Sequence, residues 1–368
     1  MAKKTHPLDE FKLINFIKKH NTRPSKCHNV VADIGDDCFV YNSHTNAKYV
    51  VTTDILIDNI HFKTAWATPE QIGQKSIEVN VSDIASMGKA KPLYAFISVG
   101  IPKNISDKFI KKLFSSIKKT CDKYDIHLSG GDTVGADFLT ISVTLIGIAY
   151  DKVITRTGAK KGDLIFVSGT FGDSGAGLEI MHNVQCTMYN KRQNREIPHQ
   201  VRNDNFSFCH TVLDAVSHRF SASQLLSFSA NERRLVKKHL VPQARLKLAN
   251  NLSKNLKITS MTDSSDGLFK SIELLAGEKG ADININSIPI SKNLIKYCGT
   301  DLNKLYKFAL FGGEEFELVF TVDKKDSAKA KKFFPEIKCV GTITGYKKIK
   351  YFYNNKLKNI KYDGYKHF

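Results

Sequence analysis

The sequence predicts an α/β (α+β) fold of two domains, and three observations carry that prediction. At 368 residues the chain exceeds what one ordinary core accommodates. Strand-like apolar runs, such as residues 49–53, interleave with segments of helical spacing, such as residues 107–124. Four times along the chain an apolar approach gives way to small or hydroxyl residues and then an aspartate. That grammar suits loops at strand ends.

The first domain is read as residues 1–150. Residues 8–20 carry apolar side chains at helical spacing, and Pro24 ends that helix. Strands follow in the 30–60 region, with a tight turn allowed by Gly35. Residues 69–87 read as a helix, 92–101 as a strand, 107–124 as an amphipathic helix, and 126–128 and 139–150 as strands. Residues 151–158 cross into a second domain, 151–368. There residues 163–168 form a strand, and the glycine-rich turn 169–177 leads into a helix at 178–182. Such a turn can cradle phosphate at a helix N-terminus; close strand–helix packing explains its glycines equally well and is the favoured reading. From about 184 to 235 the chain is polar and lacks a sustained period, so a long disordered insertion is expected. Helices resume at 231–240 and from 241–245 onward, then a strand at 257–261 running on to Asp263, a helix at 267–279 and a strand at 281–285. Residues 308–317 end in three glutamates behind two glycines, with Glu315 and Glu317 read as alternating outward along a strand; residues 318–322 form a buried run.

Composition excludes several classes. Hydrophobic content of 42% and charged content of 25% are those of a globular protein. The opening MAKKTHPLDEFK is charged and lacks the apolar stretch of a signal peptide, and the run at 139–150 is too short to span a bilayer. Seven cysteines without a CxxC spacing suggest reduced thiols and a cytoplasmic protein, with no membrane partner. The net charge of +19 comes from lysines spread over segments such as 108–123 and 347–366, with no arginine-rich tract. Solvated faces account for it better than nucleic-acid binding, and a basic surface would also steer anionic substrates inward.

The acids carry the chemistry. Asp33, Asp36 and Asp37 bracket Gly35; Thr52-Thr53 precede Asp54; Asp83 follows Ser82; Gly130-Gly131 precede Asp132; Asp263 and Asp266 flank two serines. Turn chemistry or helix capping explains any one of these. Their repetition favours convergence. A cluster of that many carboxylates would raise its own pKa values unless cations neutralised it. Several Mg²⁺ ions shared with phosphate oxygens would do so, which points to a metal-dependent phosphoryl-transfer site. No GxxxxGK[ST] occurs, so this is not a P-loop enzyme. Gly172-Asp173-Ser174-Gly175 mimics a serine-protease signature but lacks the disulfides, the all-β pattern and a partner histidine motif.

These motifs also resemble a known family. Ile34-Gly35-Asp36-Asp37, Thr53-Asp54, Asn59-Ile60-His61-Phe62, Asn80 to Gly88, Gly130-Gly131-Asp132-Thr133, Thr155-Arg156-Thr157-Gly158, Gly169 to Ser174, Asp263 to Leu268, Gly312 to Glu317 and Gly364 to Phe368 stand in the order seen in thiamine-monophosphate kinase. That family lies in the aminoimidazole ribonucleotide synthetase-like superfamily. The resemblance spans the chain except for the 184–235 stretch. It implies that the N-terminal sheet pairs two subunits in a homodimer, and that ATP and thiamine monophosphate are the substrates. It also implies Mg²⁺ held by Asp37, Thr52, Thr53, Asp54, Asp83, Asp132, Asp263 and Asp266. Tyr124, Gly131, Asp132, Arg156 and Ser265 would face ATP, and His61, Glu314 and Tyr362 would hold the thiamine moiety. Tyr362 stands where a tryptophan is common. Two other readings remain: a sister enzyme of the superfamily with another acceptor, or a basic nucleic-acid-associated binder whose site has decayed.

Overall fold

The computed structural model describes residues 10–20, 29–43, 47–192 and 228–360. The first half runs α1 (Glu10–His20), β1 (Val30–Ala32), β2 (Phe39–Asn42), β3 (Lys48–Ile57), α2 (Pro69–Ser86), β4 (Ala90–Ile101), α3 (Asp107–Lys123), β5 (His127–Gly135) and β6 (Thr140–Ala149). The second half begins with β7 (Leu164–Ser168), α4 (Asp173–Arg192), α5 (Ala230–Leu240), α6 (Leu246–Asn255), β8 (Ile258–Asp263) and α7 (Leu268–Ala276). It continues with β9 (Ala281–Asn284), α8 (Lys292–Cys298), α9 (Leu302–Phe311), β10 (Leu318–Val322), α10 (Ser327–Phe333), β11 (Ile337–Ile343), β12 (Ile349–Tyr353) and β13 (Lys356–Lys358).

The first sheet has the order β1-β2-β3-β6-β4-β5, antiparallel except for the parallel pair β4–β5. Its strands alternate as the pleat requires. Ile141, Val143 and Leu145 of β6 are buried toward α2, whereas the other face carries exposed Phe39, Ile55, Tyr94 and Phe96. The second sheet has the order β13-β12-β9-β11-β7-β10-β8. Both of its faces are covered. Phe166 and Phe320 join the core shared with the first sheet, while Ile165, Val167 and Val319 point into a second core under α7. That double burial is why residues 318–322 read as an unbroken apolar run.

Helix α2 links the two halves. Thr68 and Gln71 form a capping box with Pro69 at the first turn, so its start is well specified. It packs against α3, β3, β6, α6 and β8. Because it is covered all round, its buried residues include Lys75, Ser76, Glu78, Asn80 and Ser82, and no apolar stripe marks one face.

Several expectations are corrected. The strand expected at 126–128 runs on to Gly135 and takes in the Gly130-Gly131-Asp132 run. Parallel pairing with β4 brings the chain so close that a Cβ on Gly131 would lie 1.7 Å from the Ile97 carbonyl oxygen. The helix expected at 178–182 starts at Asp173 and reaches Arg192, so the expected insertion is helical in its first residues. A Cβ on Gly177 would meet the Leu235 carbonyl oxygen at 2.3 Å, so close helix–helix packing on α5 explains that glycine. Glu315 and Glu317 do not alternate outward; both are buried, because the segment enters a sheet covered on both sides. Cys186 is disulfide-bonded rather than a free thiol. Residues 193–227 of the expected insertion, Pro24 and Tyr362 lie outside the described residues. Among the described residues no helix is long and apolar enough to cross a membrane.

Candidate functional site

The acids converge where the two sheets meet across α2. Asp37 leaves the turn at Gly35, Asp54 and Thr52 lie on the inner face of β3, Asp83 lies on α2, and Asp263 ends β8. Asp37, Asp83 and Asp263 each bring a carboxylate oxygen within 4.8 Å of the others. Hydroxyls fix them: the Thr52 hydroxyl donates to Asp83, the Ser82 hydroxyl to Asp263 at 2.6 Å, and the Thr262 hydroxyl to Asp37 at 3.0 Å. The Arg156 guanidinium pairs with Asp37 at 2.5 Å and donates to Thr262 at 3.2 Å, while its backbone N–H donates to Asp36 at 3.1 Å.

Burial and mutual repulsion leave their mark on the protons. Desolvation first, and neighbouring carboxylates second, push Asp36 and Asp54 up to about 6 and Asp263 up to about 8. Asp83 is raised well above the usual carboxylate range for the same reasons. The second oxygen of Asp37 is buried without a hydrogen-bond partner. Closely spaced anionic oxygens with one left orphaned are the donor set a hard divalent cation takes. The residues fit Mg²⁺.

A second group adjoins the first. The Gly312-Gly313-Glu314 loop lies across the Asp263–Asp266 turn: the Glu314 N–H donates to the Ser265 carbonyl at 2.6 Å, and the Phe316 N–H to the Ser264 carbonyl at 2.9 Å. Glu314 takes φ +60°, a conformation that costs a non-glycine residue about 1 kcal/mol or more and here turns its carboxylate inward. There Lys75 binds one oxygen at 2.8 Å and His239 the other at 3.1 Å. Burial acts to raise the Glu314 carboxyl, yet the Lys75 ammonium holds it below its usual range. Burial in turn pushes His239 down to about 4, so its ring is neutral. His61 stands beside this group, its Nδ1 accepting the Ile57 N–H at 3.0 Å and its carbonyl accepting from Lys75 at 2.9 Å.

Behind the loop lies a buried ionic network. Glu317 is gripped by Arg245 at 2.5 and 2.7 Å, by Lys238 at 2.9 Å and by the Ser168 hydroxyl at 2.6 Å. Glu315 accepts the Ser174 N–H at 2.8 Å, and burial pushes it up to about 8.

The structure thus brings together Asp37, Thr52, Asp54, Asp83 and Asp263, with Arg156 on them, and it sets Ser265 and Asp266 on the adjoining turn beneath Glu314. It does not bring in four others. Thr53 points to the open face of the first sheet, where its hydroxyl shares a hydrogen bond with Thr144 at 3.1 Å. Gly131 and Asp132 lie on the edge strand β5, three strands from β3, through the row Ile55–Ser142–Ser98–Asp132. At about 4.8 Å per strand that is roughly 14 Å, with the Asp132 side chain on the open face. The Tyr124 hydroxyl is engaged by Glu78 at 2.7 Å. Lys75, His239, Lys238 and Arg245 escape a reading of the sequence. The one signal for Lys75 is its place in a helix with no apolar stripe.

Comparison with known proteins adds the following. Residues 35–149 match the family described as AIR synthase related protein, N-terminal domain. The thiamine-monophosphate kinase of Aquifex aeolicus is 31% identical over 86% of this chain and 87% of its own length. That of Buchnera aphidicola from Schizaphis graminum is 31% identical over 98% and 99% respectively. That of Bacillus subtilis is 30% identical over 87% and 85%. Among solved structures, AaThiL complexed with AMPPCP and TMP is similar with a TM-score of 0.74 and 28% identity, covering 99% of this chain and 100% of that one. Hydrogenase maturation protein HypE, at 15% identity and a TM-score of 0.57, shares the fold.

Proposed function

The chain belongs to the thiamine-monophosphate kinase family, and on that premise we propose that it transfers the γ-phosphoryl group of ATP to the phosphate of thiamine monophosphate, giving thiamine diphosphate and ADP. The observation that carries this reading is the meeting of Asp37, Asp83 and Asp263 within 4.8 Å, one loop away from the inward-turned Glu314. The similar structure AaThiL was solved with a nucleotide analogue and TMP together, which supports the same pair of substrates here.

The acceptor phosphate is already an anion near neutral pH, so no general base and no covalent nucleophile is assigned. What the chain supplies is alignment and charge. Asp37, Thr52, Asp54, Asp83 and Asp263, with Asp266 on the next turn, would hold Mg²⁺. When bound, the metal supplies neutralisation of the triphosphate and of the charge that develops in transfer. Arg156 presents a planar fork suited to phosphate oxygens beside Asp37, and Ser265 faces the same turn. Glu314, with His61, offers anionic and polar contacts to the cationic thiamine moiety, and Tyr362 is assigned to stack on its rings.

A homodimer through the open sheet face completes the reading. Phe39, Ile55, Tyr94 and Phe96 are 39–50% exposed on that face, which is the kind of apolar patch that a second copy covers. Thr53 and Asp132 share the face, so their roles, and that of Gly131 toward ATP, are assigned to the paired state. A cytoplasmic location fits an ATP-using enzyme.

Phosphorus NMR of the protein with ATP, Mg²⁺ and thiamine monophosphate tests the reaction. Thiamine diphosphate and ADP, both abolished by chelator, are expected. ADP without thiamine diphosphate would refute the acceptor in favour of a sister enzyme. DNA binding with steep salt dependence and no ATP turnover would refute the enzyme altogether.

A further inference from the structure

Lys75, which stands between Glu314 and His61, is almost completely buried, at 2% exposure. A lysine in that position carries a heavy desolvation cost unless anionic or carbonyl oxygens surround its ammonium. Two do: Glu314 Oε1 at 2.8 Å and the His61 carbonyl at 2.9 Å. These partners come from opposite halves of the molecule, His61 from the segment after β3 and Glu314 from the loop before β10. They are also the two described residues assigned to the thiamine end of the site. His239 takes the other Glu314 oxygen, so each oxygen keeps a lone pair in hand for a further donor.

We propose that Lys75 is a positioning residue for the acceptor substrate: its ammonium fixes the Glu314 carboxylate and the His61 backbone in one geometry across the two halves, so that both meet the thiamine moiety together. This deepens the functional reading above and rests on it. The chemistry is specific. A buried carboxylate left alone would take up a proton and lose its attraction for a cationic ring, whereas one already paired on its far side stays charged and aimed. Among the described residues, the hydrogen bond and ion pair of the Lys75 ammonium go to His61 and Glu314, not to Asp37, Asp83, Asp263 or Arg156 of the nucleotide end.

The test measures binding separately from turnover. Calorimetric titration of thiamine monophosphate and, separately, of a non-hydrolysable ATP analogue with Mg²⁺ is run on the full chain, on Lys75→Met, on Glu314→Gln and on the double variant. Lys75→Met is expected to weaken thiamine monophosphate binding roughly tenfold or more, with analogue binding within about twofold of the parent. The double variant should bind about as weakly as Glu314→Gln alone, since contacting residues are non-additive. If the parent binds no thiamine monophosphate, the functional reading falls and takes the proposal with it. If the parent binds it and Lys75→Met binds it equally well, the proposal alone falls. Equal loss for both ligands, or additive losses in the double variant, would likewise overturn it by assigning Lys75 to folding. Should Lys75→Met not fold, Lys75→Arg keeps the charge but lengthens and flattens the donor; parent-like thiamine monophosphate affinity in that variant would refute the geometric requirement.

Discussion

Replacing Asp263 by Asn should make the metal-free protein more stable near neutral pH, although it removes a residue assigned to the site. In the fold its carboxyl titrates at about 8 against an ordinary value of 3.8. A group whose folded value lies above its unfolded one binds its proton more tightly when folded. Its contribution to stability is complete below the unfolded value and is lost as pH rises toward the folded one. The loss runs at about 1.4 kcal/mol per pH unit, so from about pH 5.5 to about pH 7.5 this one residue costs roughly 3 kcal/mol. For a chain of this size that is a fall of about 4 °C in Tm. Asn cannot ionise, and its side-chain oxygen can still accept from the Ser82 hydroxyl. Thermal unfolding in chelator should therefore show the parent losing stability across that window and Asp263→Asn losing markedly less. Mg²⁺ at pH 7.5 should raise the parent's Tm more than the variant's, because the ligand set binds the folded form alone. A parent whose metal-free stability is flat or rising over the window would refute the reasoning. So would an Asn variant that melts below it at pH 7.5.

Three other outcomes are expected. Asp54→Asn should lower turnover by orders of magnitude while the circular dichroism spectrum stays parental; parent-like rates would remove Asp54 from the metal site. Asp132→Asn and Asp54→Asn, each nearly inactive alone, should regain measurable activity when unfolded and refolded together, up to about a quarter of the parental rate if each dimer builds its sites from both copies; no recovery in demonstrably mixed dimers would assign Asp132 to its own chain's site. Glu317→Gln should destabilise the fold by about 3 kcal/mol in urea titration, since it strips the carboxylate from Arg245 and Lys238 in a buried network; a change under about 1 kcal/mol would mean that those cations reach water.

How much of this could be read from the sequence depends on whether a residue's surroundings are local. The acids at Asp37, Asp54, Asp83 and Asp263 stand out because each repeats the same apolar-to-hydroxyl-to-acid wording, and the fold carries all four to one place. Thr52 and Thr53 are equivalent in that wording. Only the pleat, facing one inward and the other to the open side, separates them. Asp132 reads like its fellows, but parallel pairing with β4 places it on an edge strand, and no local pattern announces a parallel partner some thirty residues upstream. Glu315 and Glu317 look like a solvent-facing alternation because the cover that α5 and α6 provide, through Lys238 and Arg245, lies far upstream. The extension of α4 to Arg192 eluded a periodicity argument for a similar reason: its packing rests on glycines and on α5, not on an apolar stripe of its own.

Helix α2 leaves a mark that would show in a population of variants rather than in any one assay. A surface helix lets most of its outward positions drift, so tolerated substitutions recur with the helical period. Here α3, β3, β6, α6 and β8 pack around it, and two charges, an amide and hydroxyls are buried among the aliphatics. A saturation library read by complementation of growth should therefore show an unbroken band of rejected codons across residues 72–86. Within it, Lys75, Glu78, Asn80 and Ser82 should refuse apolar replacements as firmly as Ile77 and Ile84 refuse polar ones. Sequence change in this enzyme would then have to accumulate elsewhere, and lineages far apart in total identity should still agree along this one helix.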